Sequence, residues 1–165
     1  MSTEYKTISD RVIAVLNAER TDKLSENVTS SVTAVKKGQY TQGDNAVKPI
    51  VYVRFRRSAV ISEMAGGASR LERLMFFITG ATRGTTQEAA VDDCTNLMNN
   101  VENVLANYPT DSGKWGASYF GWGYSESDEN PEVIGEVGIE PGQDSCIGHF
   151  QLFWSCDVKI TTGVL

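Results

Sequence analysis

Histidine is almost missing from this chain, with His149 the single one in 165 residues. A serine or cysteine nucleophile with an imidazole base would have to be built around that one position. Metal sites drawing on several histidines are excluded outright. His149 stands at the head of an apolar run, where an imidazole packed at a strand end is the expected role and a general base the alternative. Cysteine is scarce too: Cys94, Cys146 and Cys156 are an odd set with no Cys-x-x-Cys spacing. They predict reduced, buried or half-buried thiols, not a disulfide frame or a zinc site. Phosphate-binding signatures are lacking, since neither G-x-G-x-x-G after a strand nor G-x-x-x-x-G-K-[ST] occurs around Gly66-Gly67 or Gly121-Trp122-Gly123. No cofactor is expected. Nothing approaches the roughly 18 consecutive apolar residues of a membrane span. The opening MSTEYKTISD has no apolar signal-peptide core, so the expectation is a protein that stays in the cytoplasm where it is made.

Basic residues are the last scarcity, and it is confined to one half. Residues 84–165 hold 2 Lys+Arg against 13 Asp+Glu, a net of −11. Residues 1–83 hold 13 against 8, a net of +5, and the two halves sum to −6. Opposite potentials on two surfaces suit head-to-tail contact between copies, or contact with a charged partner. The alternative is that the charges intermix on folding. The overall acidity argues against a sequence-specific nucleic-acid reader, despite the local block Arg54, Arg56, Arg57, Arg70, Arg73 and Arg83.

What is present reads as a single domain, 1–165, of ordinary globular composition. Ile8, Val12, Val15 and Leu16 recur at helical spacing and predict an amphipathic helix over 7–19, capped by Thr7 or Ser9. A β-branched stretch predicts a strand at 28–36, followed by a polar loop. From Pro49, PIVYVRFRR alternates Val51, Val53 and Phe55 against Ile50, Tyr52, Arg54 and Arg56. RLERLMFFITGATR repeats the pattern with Leu74, Phe76 and Ile78 against Arg73, Met75, Phe77 and Thr79. These two strands are expected to be antiparallel neighbours. Thr85-Thr86-Gln87-Glu88 has capping-box spacing and opens a helix over 86–107, with Val91, Cys94, Leu97 or Met98, Val101 and Val104 or Leu105 on its apolar stripe. GHFQLFWSCDVKITT closes the chain as a long strand with Phe150, Leu152, Trp154, Cys156, Val158 and Ile160 on one face. The expected fold is α+β: a mixed or mostly antiparallel sheet of about four to six strands against an N-terminal helix and a long central helix.

Two further groups bear on function. Glu126, Asp128, Glu129 and Glu132 crowd oxygen ligands together but lack the glycine and ligand order of a calcium loop, so a solvated loop is expected and no metal. Trp115, Tyr119, Phe120, Trp122 and Tyr124 form an aromatic group suited to an interface anchor, or to a sugar platform.

KPIVYVRF, the loop ending in AGGASRLERLMFFITGATRG, and the helix TTQEAAVDDCTNLMNNVENVLANYP together resemble the tail terminator (tail completion, minor tail) proteins of tailed bacteriophages. The helix echoes the family's spacing through Ala90, Asp92 or Asp93, Cys94, Leu97, Val101 and Leu105, and GHFQLFWSCDVKI resembles the closing strand. The 24–47 and 111–145 segments are longer than the family pattern, and Cys94 stands where leucine is usual. The resemblance implies a structural virion protein and not an enzyme. It implies a ring, commonly hexameric, at the head-proximal end of the tail tube, made in the host cytoplasm, that ends tube polymerisation and offers a face to the head. Its partners would be further copies, the tail tube protein and a head-completion or connector protein. The candidate interface residues are Arg54, Arg56, Arg73, Trp122, Glu126, Asp128 and Glu129. The alternatives are a head-completion or connector protein on the portal or adaptor, and a carbohydrate-binding module using Trp115, Trp122 and Tyr124.

Overall fold

The computed structural model describes residues 4–63, 69–107, 119–123, 135–141 and 145–161. Helix α1 (Glu4–Ala18) leads through a short 3-10 turn (Lys23–Ser25) to β1 (Ala34–Lys37), β2 (Ile50–Glu63) and β3 (Ser69–Gly84). Helix α2 (Gln87–Asn107) follows, then β4 (Tyr119–Gly123), β5 (Gly135–Pro141) and β6 (Cys146–Thr161). One six-stranded sheet results, ordered β1-β2-β3-β6-β4, with β5 also paired to β6. Among the described residues, β1 with β2 is the one parallel pair. This is the expected α+β fold, a mostly antiparallel mixed sheet packed on an N-terminal and a long central helix.

The long alternations explain the centre of the sheet. β3 pairs with β6 without interruption from Ser69↔Thr161 to Gly84↔Cys146. Leu74, Phe76 and Ile78 share a core with Phe150, Leu152, Trp154, Cys156 and Val158, and both helices close over it. From α1 come Ile8, Val12, Val15 and Leu16; from α2 come Cys94, Leu97, Val101, Val104 and Leu105. Each large aliphatic side chain buried this way contributes about 1.5–3 kcal/mol.

Details differ from the sequence expectation for local reasons. α1 begins at Glu4, so Thr7 and Ser9 lie inside the helix and do not cap it. The extra turn lets Tyr5 stack on Phe55, ring centroids 5.4 Å apart. The strand expected at 28–36 is shorter and later, β1, because Asn27 turns with φ 58° and Thr29 is taken up by Asp93 of α2, whose Oδ1 accepts from its amide at 3.2 Å and its hydroxyl at 3.1 Å. Thr86 caps α2, its Oγ1 accepting from the Ala89 amide at 3.1 Å. That puts Ala89, not Glu88, third from the cap. Ala90, not Val91, is the fully buried residue of the first turns. β6 comes so close there that a Cβ on Gly148 would lie 2.4 Å from the Ala90 carbonyl oxygen.

The second face of the sheet is covered at one end by the 38–49 loop. Tyr40, Ile50, Tyr52 and Ala81 form a separate small core there. The Tyr40 amide donates to Thr79 Oγ1 at 2.8 Å, and its hydroxyl donates to Glu140 of β5 at 2.7 Å. Glu140 also accepts from the Gly43 amide at 3.0 Å, so β5 and the loop hold each other. Beyond that end, the second face belongs to the arginines.

Candidate assembly surface

β2 outruns its neighbour. Its pairing with β1 ends at Lys37↔Val53, and the chain turns away at Gly38, whose φ of 133° favours glycine and whose amide donates to the Val53 carbonyl at 3.0 Å. From Arg54 to Glu63 no strand among the described residues pairs with the outer edge of β2. Val60 is 53% exposed and Ile61 44% exposed on this stretch.

Arg54 and Arg56 stand on the sheet face away from the helices. The Arg54 guanidinium carbon lies 5.5 Å from the centroid of the Phe77 ring, and that of Arg56 lies 5.4 Å from Phe153. The two rings are themselves neighbours at 5.1 Å. A cation over an aromatic face is held by the ring quadrupole, and the arginine stems cover apolar surface while the charged heads stay wet. This accounts for the burial of Met75 and Phe77 on the face away from α1 and α2.

Sequence alternation alone places consecutive residues on opposite faces. A bulge changes this: Phe55 opposes Phe76, yet Arg57 opposes Met75, so Arg56 is the extra residue. Arg56 and Arg57 therefore both reach the same face, Arg57 Nε lying 3.4 Å from Met75 Sδ. Among the described residues Arg54 and Arg56 make no ion pair. Arg73 does: it bonds Asp157 across the β3–β6 pair.

On the opposite side of the sheet, α2 has the other sign. α2 covers the helix-side face with Glu88, Asp92, Asp93 and Glu102 and no lysine or arginine. Asp93 is spent on Thr29, while Glu88 and Asp92 are exposed. The charge division of the sequence is thus only in part a division between two faces: α1 brings Lys6 and Arg11 to the helix side, and Asp157 meets Arg73 on the arginine face.

A groove of about 350 Å³ lies where β1 stops, lined by Tyr5, Lys6, Ser9, Lys37, Arg54 and Phe55 among others. Its floor is the stacked Tyr5 and Phe55 pair, and its rim carries Lys6 and Lys37 around Asp10, while the Arg54 guanidinium lies over Phe77 on the other face. Lys6 and Lys37 grip Asp10 at 2.7 and 2.9 Å, and their hydrogen bonds hold that carboxyl below the usual carboxylate range. A second cavity, about 220 Å³, is lined by Tyr40, Gln42, Thr79, His149, Phe150 and Gln151. His149 stacks on Tyr40 with centroids 6.0 Å apart and lies flat against Gly138, where a Cβ would come within 2.6 Å of the ring.

Of the residues singled out from sequence, Arg54 and Arg56 are brought together, and Arg73 lies on the same sheet engaged with Asp157. Trp122 falls in β4 opposite Cys156. Glu126, Asp128 and Glu129 lie outside the described residues, as do Trp115 and Tyr124. Sequence reasoning missed the Phe77 and Phe153 platform and the Tyr5 groove. The signal for the platform was there: Met75, Phe77 and Phe153 are large apolar residues on the side of the alternation facing away from the core.

Among the described residues no group of three or more His, Cys, Asp or Glu side chains is placed to hold a metal ion, and no helix is long and apolar enough to cross a membrane. No protein-family model and no curated protein matches the chain.

Proposed function

We propose that this protein is a structural component of a tailed-phage virion, a tail terminator that forms a ring on the head-proximal end of the tail tube, ends tube polymerisation and presents the head-attachment surface. The observation that carries the reading is the opposition of two faces across one sheet: the arginine face bearing Arg54 and Arg56, and the α2 face bearing Glu88 and Asp92. A ring is a heterologous assembly, one surface meeting a different surface of the next copy, and opposite charges on unlike faces favour that contact over a two-fold dimer. The order of α1, β2, β3, α2 and β6 agrees with the family likeness drawn from sequence. In this reading the protein has no catalytic role, and its partners are its own copies, the tail tube protein and a head-completion or connector protein.

The test is native mass by light scattering at low and high salt, with negative-stain images of the same samples. A salt-sensitive ring of about six subunits is the expected result, since a closed cyclic assembly held by charge loosens as salt screens it. Charge reversal of Arg54 and Arg56 together should break it. A monomer at both salts that fails to cap purified tail tubes would overturn the proposal, and selective binding to a portal or adaptor would replace it with the head-completion reading.

A further inference from the structure

We infer that the outer edge of β2 beyond Val53 is a strand-addition site, and that its occupant is the acidic segment 124–134 of a second copy. The inference rests on the ring reading for the identity of the neighbour, but the site itself stands on three features of this chain.

The first is the open edge. From Arg54 to Glu63 the backbone groups on the outer side of β2 have no strand partner among the described residues, and Val60 and Ile61 are exposed along it. An open edge offers main-chain hydrogen bonds to any extended segment, and side-chain pockets beside it decide which segment is taken.

The second is the groove at the start of that edge. A strand added beyond Gly38 would continue the line of β1, and its leading side chain would meet the Tyr5 and Phe55 floor beside Lys6 and Lys37. An apolar floor with a cationic rim selects an apolar or aromatic residue in an acidic sequence.

The third is charge. Arg54 and Arg56 repel a second β2 edge, so symmetric edge-to-edge pairing is disfavoured and an acidic strand is favoured. Two bulges, at Phe55/Arg57 and Val60/Ser62, further discourage indiscriminate pairing. Residues 124–134, YSESDENPEVI, carry Glu126, Asp128, Glu129 and Glu132 with no basic residue, and supply Tyr124, Val133 and Ile134 as apolar side chains. The segment is one residue longer than the 54–63 edge, and Pro131 is tolerated because an added strand is itself an edge. Contact between an edge of one copy and a different segment of the next is heterologous, as ring closure requires.

The test uses a fluorescent, end-capped peptide of residues 124–134. It is titrated by anisotropy into the full chain carrying Glu126→Gln, Asp128→Asn and Glu129→Gln, so that the chain's own segment competes less. The peptide is expected to bind at low salt. N-methylation of alternate peptide amides, which blocks main-chain bonding, should weaken it at least about tenfold. Arg54→Glu should weaken it to a similar degree, and the methylated peptide keeps the test valid where that variant fails to fold. Equal binding of the methylated peptide would overturn strand addition, as would no binding at all. A protein that stays monomeric yet binds the peptide in this backbone-dependent way upholds the edge site while the ring reading fails. A ring that forms without any peptide affinity upholds the ring and removes the edge site.

Discussion

Arg73 and Asp157 sit directly opposite each other on β3 and β6, with Nε 2.9 Å from Oδ1 and Nη2 3.2 Å from Oδ2. One comes from the basic half of the chain and the other from the acidic half. The two-toothed geometry satisfies Arg73 within its own subunit, which separates it from Arg54 and Arg56 although all three belong to one arginine-rich region.

Because the Arg73 pair is partly exposed, it contributes little to stability. Arg73→Ala should lower the unfolding free energy by no more than about 1 kcal/mol and leave assembly intact. Urea denaturation and native mass on the same preparation check both parts. A larger effect on assembly than that of Arg54→Ala would assign Arg73 to the interface after all.

Glu72 is a buried carboxylate near the start of β3, 1% exposed. Burial pushes its pKa up, but hydrogen bonds from Tyr5, Arg70 and Ser58 outweigh this and hold it below the ordinary 4.5. With the folded value depressed, the unfolded chain binds more protons, so stability is fully present above about pH 4.5 and is lost as pH falls through the folded value. Glu72→Gln should cost about 1–3 kcal/mol at neutral pH, with a difference from the parent that shrinks toward pH 3. Urea midpoints across that range measure it.

The three thiols should differ sharply in reactivity. Cys94 and Cys156 are fully buried, and burial pushes the Cys94 thiol up to about 12 and raises that of Cys156 as well. Cys146 is half-buried at the start of β6. A disulfide exchange reagent at pH 8 should label Cys146 in the native protein and the other two only on unfolding, because the thiolate is the reacting form. Mass mapping of the labelled peptides reads the outcome.

Gly148→Ala tests the docking of α2 on β6. The added methyl would sit 2.4 Å from the Ala90 carbonyl oxygen and 2.9 Å from Cys94 Cβ, against helix backbone that cannot swing aside. A loss of about 1–3 kcal/mol is expected from overpacking. Thermal or urea unfolding measures it, and an unchanged midpoint would mean that α2 shifts easily.

Much of the architecture was legible because its patterns are long. β2, β3 and β6 alternate over many residues with the helix-side positions apolar, and α2 repeats its apolar residues over five turns. β5 was not legible: GEVGIEP is short, glycine-rich and acidic, and it becomes a strand by pairing with β6 and by the grip of Glu140 on Tyr40 and Gly43. The strand expected at 28–36 starts later because β-branched content at 28–33 reflects packing, with Val32 in the core and Val28 against it, and not strand pairing. Among the candidate interface residues, the signs of the charges were readable, but not which of them find partners at home.

By itself the sequence determined which side chains share a side within each regular stretch of strand or helix, since period-two and helical alternation are local properties. Tertiary structure decided the rest. The bulge in β2 turned Arg56 and Arg57 to one face, and the β3–β6 register set Asp157 opposite Arg73 across 84 residues of chain. Those outcomes depend on long-range strand register, which no local window contains, and they determine which arginines are held at home and which face outward.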